Sequence, residues 1–206
     1  MIRLVADSSC DVYTLPGVDF RAVPLHISTD DGRAFIDDPE LNVREMVDCL
    51  HSHKGRSYTA CPSVAAWLEA FEGADTVYVV TITSGLSGSY NSAKVAADLY
   101  QQASPEASVH VFDSLSTGPE ELLLLEKLRE LVNAGLEFEE VIRQAEDYMR
   151  HTRLFFSLHS LHNLAQNGRI GKVTAAAVSV MNIRVIGTAS PEGTLATIGK
   201  ARGDKR

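Results

Sequence analysis

The run Val77-Tyr78-Val79-Val80-Thr81-Ile82 is apolar on both faces that a strand presents, because alternate side chains point to opposite sides. Such a strand needs cover above and below, as in a parallel sheet with helices on both sides. Shorter apolar runs at 2–6 and 108–113 fit neighbouring strands, and helical patterns lie between them. Residues 43–53 place Met46, Val47 and Leu50 on one face, and an alanine-rich stretch covers 89–102. Ser63 suits the N-cap of a helix that carries Trp67. A further helix runs over 119–132 and stops near Asn133 and Gly135. Strand and helix in alternation imply parallel strands joined by right-handed crossovers.

The texture changes after residue 150. Residues 154–158 read as a strand, 161–166 as a short helix closed by Asn167-Gly168, and 172–181 as another helix. Two strands, 183–189 and 194–198, meet through Pro191-Glu192-Gly193 in a hairpin-type connection. A hairpin means antiparallel pairing. The expected fold class is therefore α/β, with a parallel-sheet α/β domain over 1–150. A partial second α/β domain with antiparallel strands, incomplete at its C-terminal end, is expected over 151–206.

The central strand runs out into Thr83-Ser84-Gly85-Leu86-Ser87-Gly88-Ser89-Tyr90, and no charged residue or histidine follows until Lys94. A nucleophile elbow needs G-x-S-x-G, and here Ser89 stands where that motif needs its second glycine. A P-loop needs a lysine that this stretch lacks. Four readings stay open. The stretch is a helix start capped by Ser87, Gly88 or Ser89, or a serine hydrolase site using Ser84 or Ser87. Alternatively, N–H groups, a helix dipole and hydroxyls hold an anion there, either a carboxylate or a sugar phosphate. Asp7-Ser8 and Asp113-Ser114 end two other strands, so three strand ends carry hydroxyls where open parallel sheets bind ligands.

Other stretches are equally two-sided. Pro62 keeps Cys61 extended, which turns the Thr59 hydroxyl to a sheet edge or merely leads to an N-cap at Ser63. Gly168 suits a positive φ after a helix, and Arg169 is then either solvated or a fork donor to an anion. His159 and His162 lack companion ligands, so neither a metal nor a cofactor is expected. Asp37-Asp38-Pro39-Glu40 reads as a solvated turn. A net charge of −8 argues against nucleic acid as a partner. No apolar run approaches the ~20 residues of a membrane helix. Cys10, Cys49 and Cys61 have no CxxC spacing, which points to a reducing cytoplasm and no zinc cage.

Together, Asp7-Ser8-Ser9-Cys10-Asp11, Val23-Pro24-Leu25, Thr59-Ala60-Cys61-Pro62-Ser63, Ser84-Gly85-Leu86-Ser87-Gly88-Ser89-Tyr90, Asp113-Ser114 and Asn167-Gly168-Arg169-Ile170 resemble DegV-family proteins. Gly193-Thr194-Leu195 and Lys200-Ala201-Arg202-Gly203 match too, so the resemblance spans essentially the whole chain. It implies a two-domain fold with one long-chain fatty acid in a deep tunnel between the domains. It also implies a non-enzymatic role, presenting the acyl carboxylate to a separate ATP-dependent fatty acid kinase. By the same resemblance Thr59 and Ser84 hold the carboxylate and Ser87 stands close by. Arg169 then lies near the head group or the kinase-facing edge. Two departures stand out. The family's usual Thr-Ser-Gln-Pro-Ser is Thr59-Ala60-Cys61-Pro62-Ser63 here, which keeps the threonine and loses a hydroxyl and an amide. Family members also usually continue further, with more elements and a histidine near the head group, so a C-terminal truncation is expected.

Overall fold

The computed structural model describes residues 1–158, 160–170 and 183–202; the helical pattern at 172–181, His159 and Gly203 lie outside them. Four strands, β1 (Ile2–Asp7), β2 (Asp19–Val23), β6 (Thr76–Thr81) and β7 (Ser108–Asp113), form one parallel sheet in the order β2-β1-β6-β7. The doubly apolar strand β6 is thus interior, as its sequence requires. Val77 and Val79 pack with Trp67 and Phe71 of α2 (Val64–Phe71) and with Ala93, Ala96 and Ala97 of α3 (Ser89–Ala103). Tyr78 and Val80 face the opposite way, against Leu124, Leu125 and Leu128 of α4 (Pro119–Asn133). Val141, Ile142 and Ala145 of α5 (Phe138–Met149) complete that side. Each fully buried aliphatic side chain contributes about 1.5–3 kcal/mol, so these two layers fix the sheet between the helices.

Local chemistry sets the helix starts. Ser63 Oγ accepts from the Ala66 N–H at 3.2 Å, the cap expected for α2. The Trp67 indole N–H donates to Ser92 Oγ at 2.9 Å, and that hydroxyl reaches the Pro62 carbonyl at 2.9 Å, which ties α2 to α3. Gly118, at φ +56°, precedes Pro119 at the first position of α4, where the missing N–H costs nothing. Arg3 is the one buried cation of β1. Its guanidinium meets Asp19 at 2.8 Å and the Ala70 and Glu72 carbonyls at 2.9 and 2.8 Å.

Two antiparallel sheets accompany the parallel one. The first has the order β4-β3-β5, with β3 (His26–Thr29), β4 (Ala34–Ile36) and β5 (Ser57–Ala60). Helix α1 (Val43–Ser52) leads into β5; Met46 and Leu50 are half-buried, but the residue it buries fully is Cys49, and Val47 is exposed. The second sheet has the order β10-β9-β8, with β8 (Phe155–Leu158), β9 (Ile183–Ala189) and β10 (Leu195–Arg202). The expected hairpin is present, and its turn at Gly193 has φ +70°. Helix α6 (His162–Gln166) ends as predicted before Gly168, at φ +72°.

Candidate functional site

The carboxyl ends of β1, β6 and β7 lie side by side, and the serine-rich loop 83–88 leaves the middle one. Most of the loop's own N–H groups are spent internally. The Ser84 N–H donates to Asp113 Oδ1 at 3.0 Å, and the Gly85 N–H to Thr83 Oγ1 at 3.1 Å. The Leu86 and Ser87 N–H groups both donate to the Thr83 carbonyl, and the Ser89 N–H to Ser87 Oγ at 3.2 Å. The N–H set open to an anion is therefore narrower than the sequence suggests. What remains is hydroxyl chemistry. Ser84 is exposed, and Ser87, half-buried, accepts from Ser89 and so keeps its own proton to donate outward.

Arg169 is brought onto this loop from the segment after α6. Its Nε donates to the Leu86 carbonyl at 3.3 Å and its Nη1 to the Asn167 carbonyl at 2.9 Å. Among the described residues no carboxylate pairs with it. Asn167 Nδ2 donates to the Ser57 carbonyl at 3.1 Å, at the start of the strand that carries Thr59. Thr59, on the edge strand β5, pairs with Ile27 of β3 and is exposed. The threonine strand and the serine loop thus share one clamp, the Asn167-Gly168-Arg169 segment. Ser84, Ser87 and Arg169 meet around that loop; Thr59 stands on the adjoining strand. A Cβ on Gly88 would come within 3.3 Å of Cys61 Sγ, which shows how closely the Thr59–Ser63 stretch approaches. On the opposite side the Thr83 hydroxyl donates to the Gly193 carbonyl at 2.9 Å, and a Cβ on Gly85 would lie 2.9 Å from that same oxygen. Only glycine fits there.

The other strand-end hydroxyls do not face a ligand. Ser8 donates to Asp37 at 2.7 Å and accepts from the Leu25 N–H, while Ser114 donates to the Ser116 carbonyl; both are buried. Asp37 also accepts from the Tyr13 hydroxyl at 2.8 Å, so the acidic turn is a structural acceptor and not a merely solvated one. In the repeated Asp-Ser pairs it is the acids that reach the loop. Asp113 holds Ser84, and Asp7 holds Ile82 at 3.1 Å and the Ser89 hydroxyl.

Asp7 belongs to a buried carboxyl pair. Ser9 Oγ bonds Asp7 Oδ1 and lies 2.7 Å from Glu121 Oε1, which also accepts the Gly118 N–H at 3.2 Å. Both acids are fully buried, and Glu121 Oε2 has no partner among the described residues. Burial pushes the Asp7 carboxyl up, and burial together with the Asp7 charge pushes Glu121 well above the ordinary carboxylate range. Burial likewise pushes the Cys10 thiol up to about 12, so it is inert as a nucleophile.

An open groove of about 700 Å³ lies beside the β9–β10 turn, among Leu115, Met149, Leu154, Phe155 and Pro191. None of Thr59, Ser84, Ser87 or Arg169 lines it. Among the described residues the one His and Asp grouping with ligand-like spacing is Asp30, Asp31 and His53, where Arg33 and the Arg56 N–H already occupy the carboxylates. No described helix is long and apolar enough to cross a membrane.

Comparison with known proteins agrees with this architecture. A DegV domain-containing protein of Streptococcus pneumoniae is 43% identical over 208 residues, covering 99% of this chain and 74% of the relative. A DegV family protein from Eubacterium eligens, solved loaded with heptadecanoic acid, superposes with a TM-score of 0.94 at 55% identity, over 99% of this chain and 74% of that one. The Streptococcus pneumoniae Fatty Acid Kinase (Fak) B3 protein, solved loaded with linoleic acid, also gives 0.94, at 43% identity over 98% and 73%. A family model described as "Uncharacterised protein, DegV family" matches residues 1–206, and the chain belongs to the DegV family.

Proposed function

We propose that this protein binds one long-chain fatty acid and presents its carboxylate to a separate ATP-dependent fatty acid kinase in the cytoplasm. The observation that carries the reading is Arg169, a guanidinium without an acidic partner among the described residues, seated on a loop whose Ser84 and Ser87 hydroxyls remain free to donate. A carboxylate there gains charge-assisted hydrogen bonds from Arg169, Ser84 and Ser87, with Thr59 closing the site from β5. Solved relatives loaded with heptadecanoic and linoleic acid support a fatty acid as the anion, and the kinase name of one supports the partner. Among the described residues no histidine or carboxylate side chain bonds the hydroxyl of Ser84 or Ser87, which suits holding a carboxylate and not attacking an ester. The proposed division is a binding domain over 1–150, with the Arg169 clamp coming from a second unit over 151–206.

Denaturing extraction followed by mass spectrometry is expected to release roughly one saturated or monounsaturated long-chain fatty acid per chain. Recovery of only sugar phosphate or nucleotide overturns the reading. Thr59→Val and Ser84→Ala each remove a hydrogen bond to a charged acceptor, so each is expected to weaken fatty acid retention by about 1.5–3 kcal/mol. Retention at the wild-type level in both variants removes these two residues from the head-group site.

A further inference from the structure

We propose that Asp7 is the positioning residue of the serine loop: one carboxylate oxygen ties the residues on either side of it and so sets its span. Asp7 Oδ2 accepts from the Ile82 N–H at 3.1 Å, immediately before residue 83, and from the Ser89 hydroxyl, immediately after residue 88. The six intervening residues carry Ser84 and Ser87. Ser89 is the first residue of α3, so the same oxygen also sets where that helix starts relative to β6. The link to a ligand rests on the head-group reading above.

The chemistry of the pair explains how a buried carboxylate is tolerated beside a second acid. A serine hydroxyl has one proton, yet Ser9 Oγ contacts both Asp7 Oδ1 and Glu121 Oε1. Both contacts are hydrogen bonds only if one carboxyl contributes a proton of its own. Asp7 receives three donors, from Ser9, Ile82 and Ser89, which favour its ionised form. Glu121 has one N–H donor, from Gly118, which alone would favour its charge. It is fully buried, however, and its Oε2 has no partner among the described residues, so its neutral form wins. The proton therefore resides on Glu121. It donates to Ser9, and Ser9 donates to Asp7. Asp7 acts through the loop and does not touch the ligand.

Hydrogen exchange on lipid-free protein, with heptadecanoic acid as the ligand probe, tests the assignment. Asp7→Asn removes one acceptor oxygen at nearly constant volume. Exchange of the amides at 82–89 is expected to rise by about tenfold or more, with a similar rise in the heptadecanoate off-rate. Ser89→Ala cuts one of the two ties and leaves Asp7 in place, so it guards against a failure of Asp7→Asn to fold. It should move both quantities the same way by less. Glu121→Gln imposes the neutral state, and its effect on exchange should be smaller than that of Asp7→Asn. Unchanged exchange at 82–89 in folded Asp7→Asn or Ser89→Ala overturns the assignment, as does a larger effect from Glu121→Gln. Raised exchange with a wild-type off-rate in Asp7→Asn, while Ser84→Ala releases lipid, overturns it too. If exchange rises but neither Asp7→Asn nor Ser84→Ala changes the off-rate, the head-group reading fails and the loop anchor stands.

Discussion

Asp7 and Glu121 lie beneath the serine loop with no solvent exposure, whereas Asp30 and Asp31 sit beside His53 with side chains 44% and 46% exposed. The residue types are nearly the same and the behaviour is opposite. Burial raises both carboxyls of the first group. In the second, the Arg33 guanidinium and the Thr29 hydroxyl hold Asp31 down to about 2, and the Arg56 N–H lowers Asp30. One group keeps a proton to satisfy geometry, and the other keeps its charge because water and cations are near. Loss of a partner should therefore be severe at the first and slight at the second.

The sharpest break in that comparison is Asp7→Ala. It strands the Ile82 N–H and the buried Ser89 hydroxyl, each worth about 1–3 kcal/mol when unsatisfied, while Ser9 keeps Glu121 at 2.7 Å. Relief of repulsion offsets little, because Glu121 is already neutral. A net loss of about 3–4 kcal/mol is expected in urea denaturation. A loss under about 1 kcal/mol means that the network does not hold the strand ends together.

The pH dependence separates the two groups by sign. A carboxyl raised in the folded state binds more protons there than in the unfolded chain, so its stabilisation is complete below the unfolded value and declines as pH rises through the folded one. Unfolding free energy should therefore fall above about pH 4.5, with a slope of up to ~1.4 kcal/mol per pH unit for one proton. Asp11, raised by burial and by Asp37, adds in the same direction. Glu121→Gln should flatten that slope. If the slope is unchanged in the variant, the retained proton lies elsewhere.

Much of this architecture is readable in the chain. The strands β1, β6 and β7 are apolar runs, α3 and α4 carry helical composition with clear ends, and the β9–β10 hairpin has a Pro-Glu-Gly turn. Strand β5 is not, since Tyr58, Thr59 and Ala60 are all exposed and only pairing with β3 defines it. Strand β4 is three residues long. Helix α5 does carry a pattern, Phe138, Val141, Ile142, Ala145 and Met149, that the simple alternation of strands and helices passes over. At the site, hydroxyl-rich motifs mark the loop, and the Gly-Arg motif marks its clamp. Of the buried acids, Asp7 is marked only as part of an Asp-Ser strand end, and Glu121 is not marked at all. Glu120 and Glu121 look like the ordinary acidic first turn of a helix, and nothing local distinguishes Glu120, which accepts from Ser116 at 2.6 Å, from Glu121, which turns inward. The acid that Glu121 meets in the fold, Asp7, is 114 positions away.

Arg169 is intermediate between the two groups, half-buried and charged. Arg169→Met keeps the length of the side chain and removes the charge and the bond to Leu86. Fatty acid retention should fall by about tenfold, with Arg169→Lys between the two because it keeps charge and loses the fork. Equal retention in the methionine variant would place the arginine at a partner surface instead of the head group. The fold itself should be indifferent to the change.

The smallest effect is expected at Asp31, and its smallness is the point of contrast. Asp31 accepts from Arg33 at 2.9 Å and from Thr29, and it faces water. Exposed ion pairs of this kind gain little, since solvent and salt screen them. A carboxyl lowered in the folded state stabilises only above its unfolded value and loses that contribution as pH falls through the folded one, here about 2. Asp31→Asn should therefore lower the midpoint of unfolding only slightly at neutral pH, and differ from wild type by less still below about pH 4, where the unfolded chain is protonated too. Raising the salt concentration should erase the remaining difference at neutral pH while leaving the Asp7→Ala deficit intact, because that deficit arises from stranded donors in a site that ions do not enter. A large, salt-resistant loss in Asp31→Asn would show that the exposed group is as integral to the fold as the buried one.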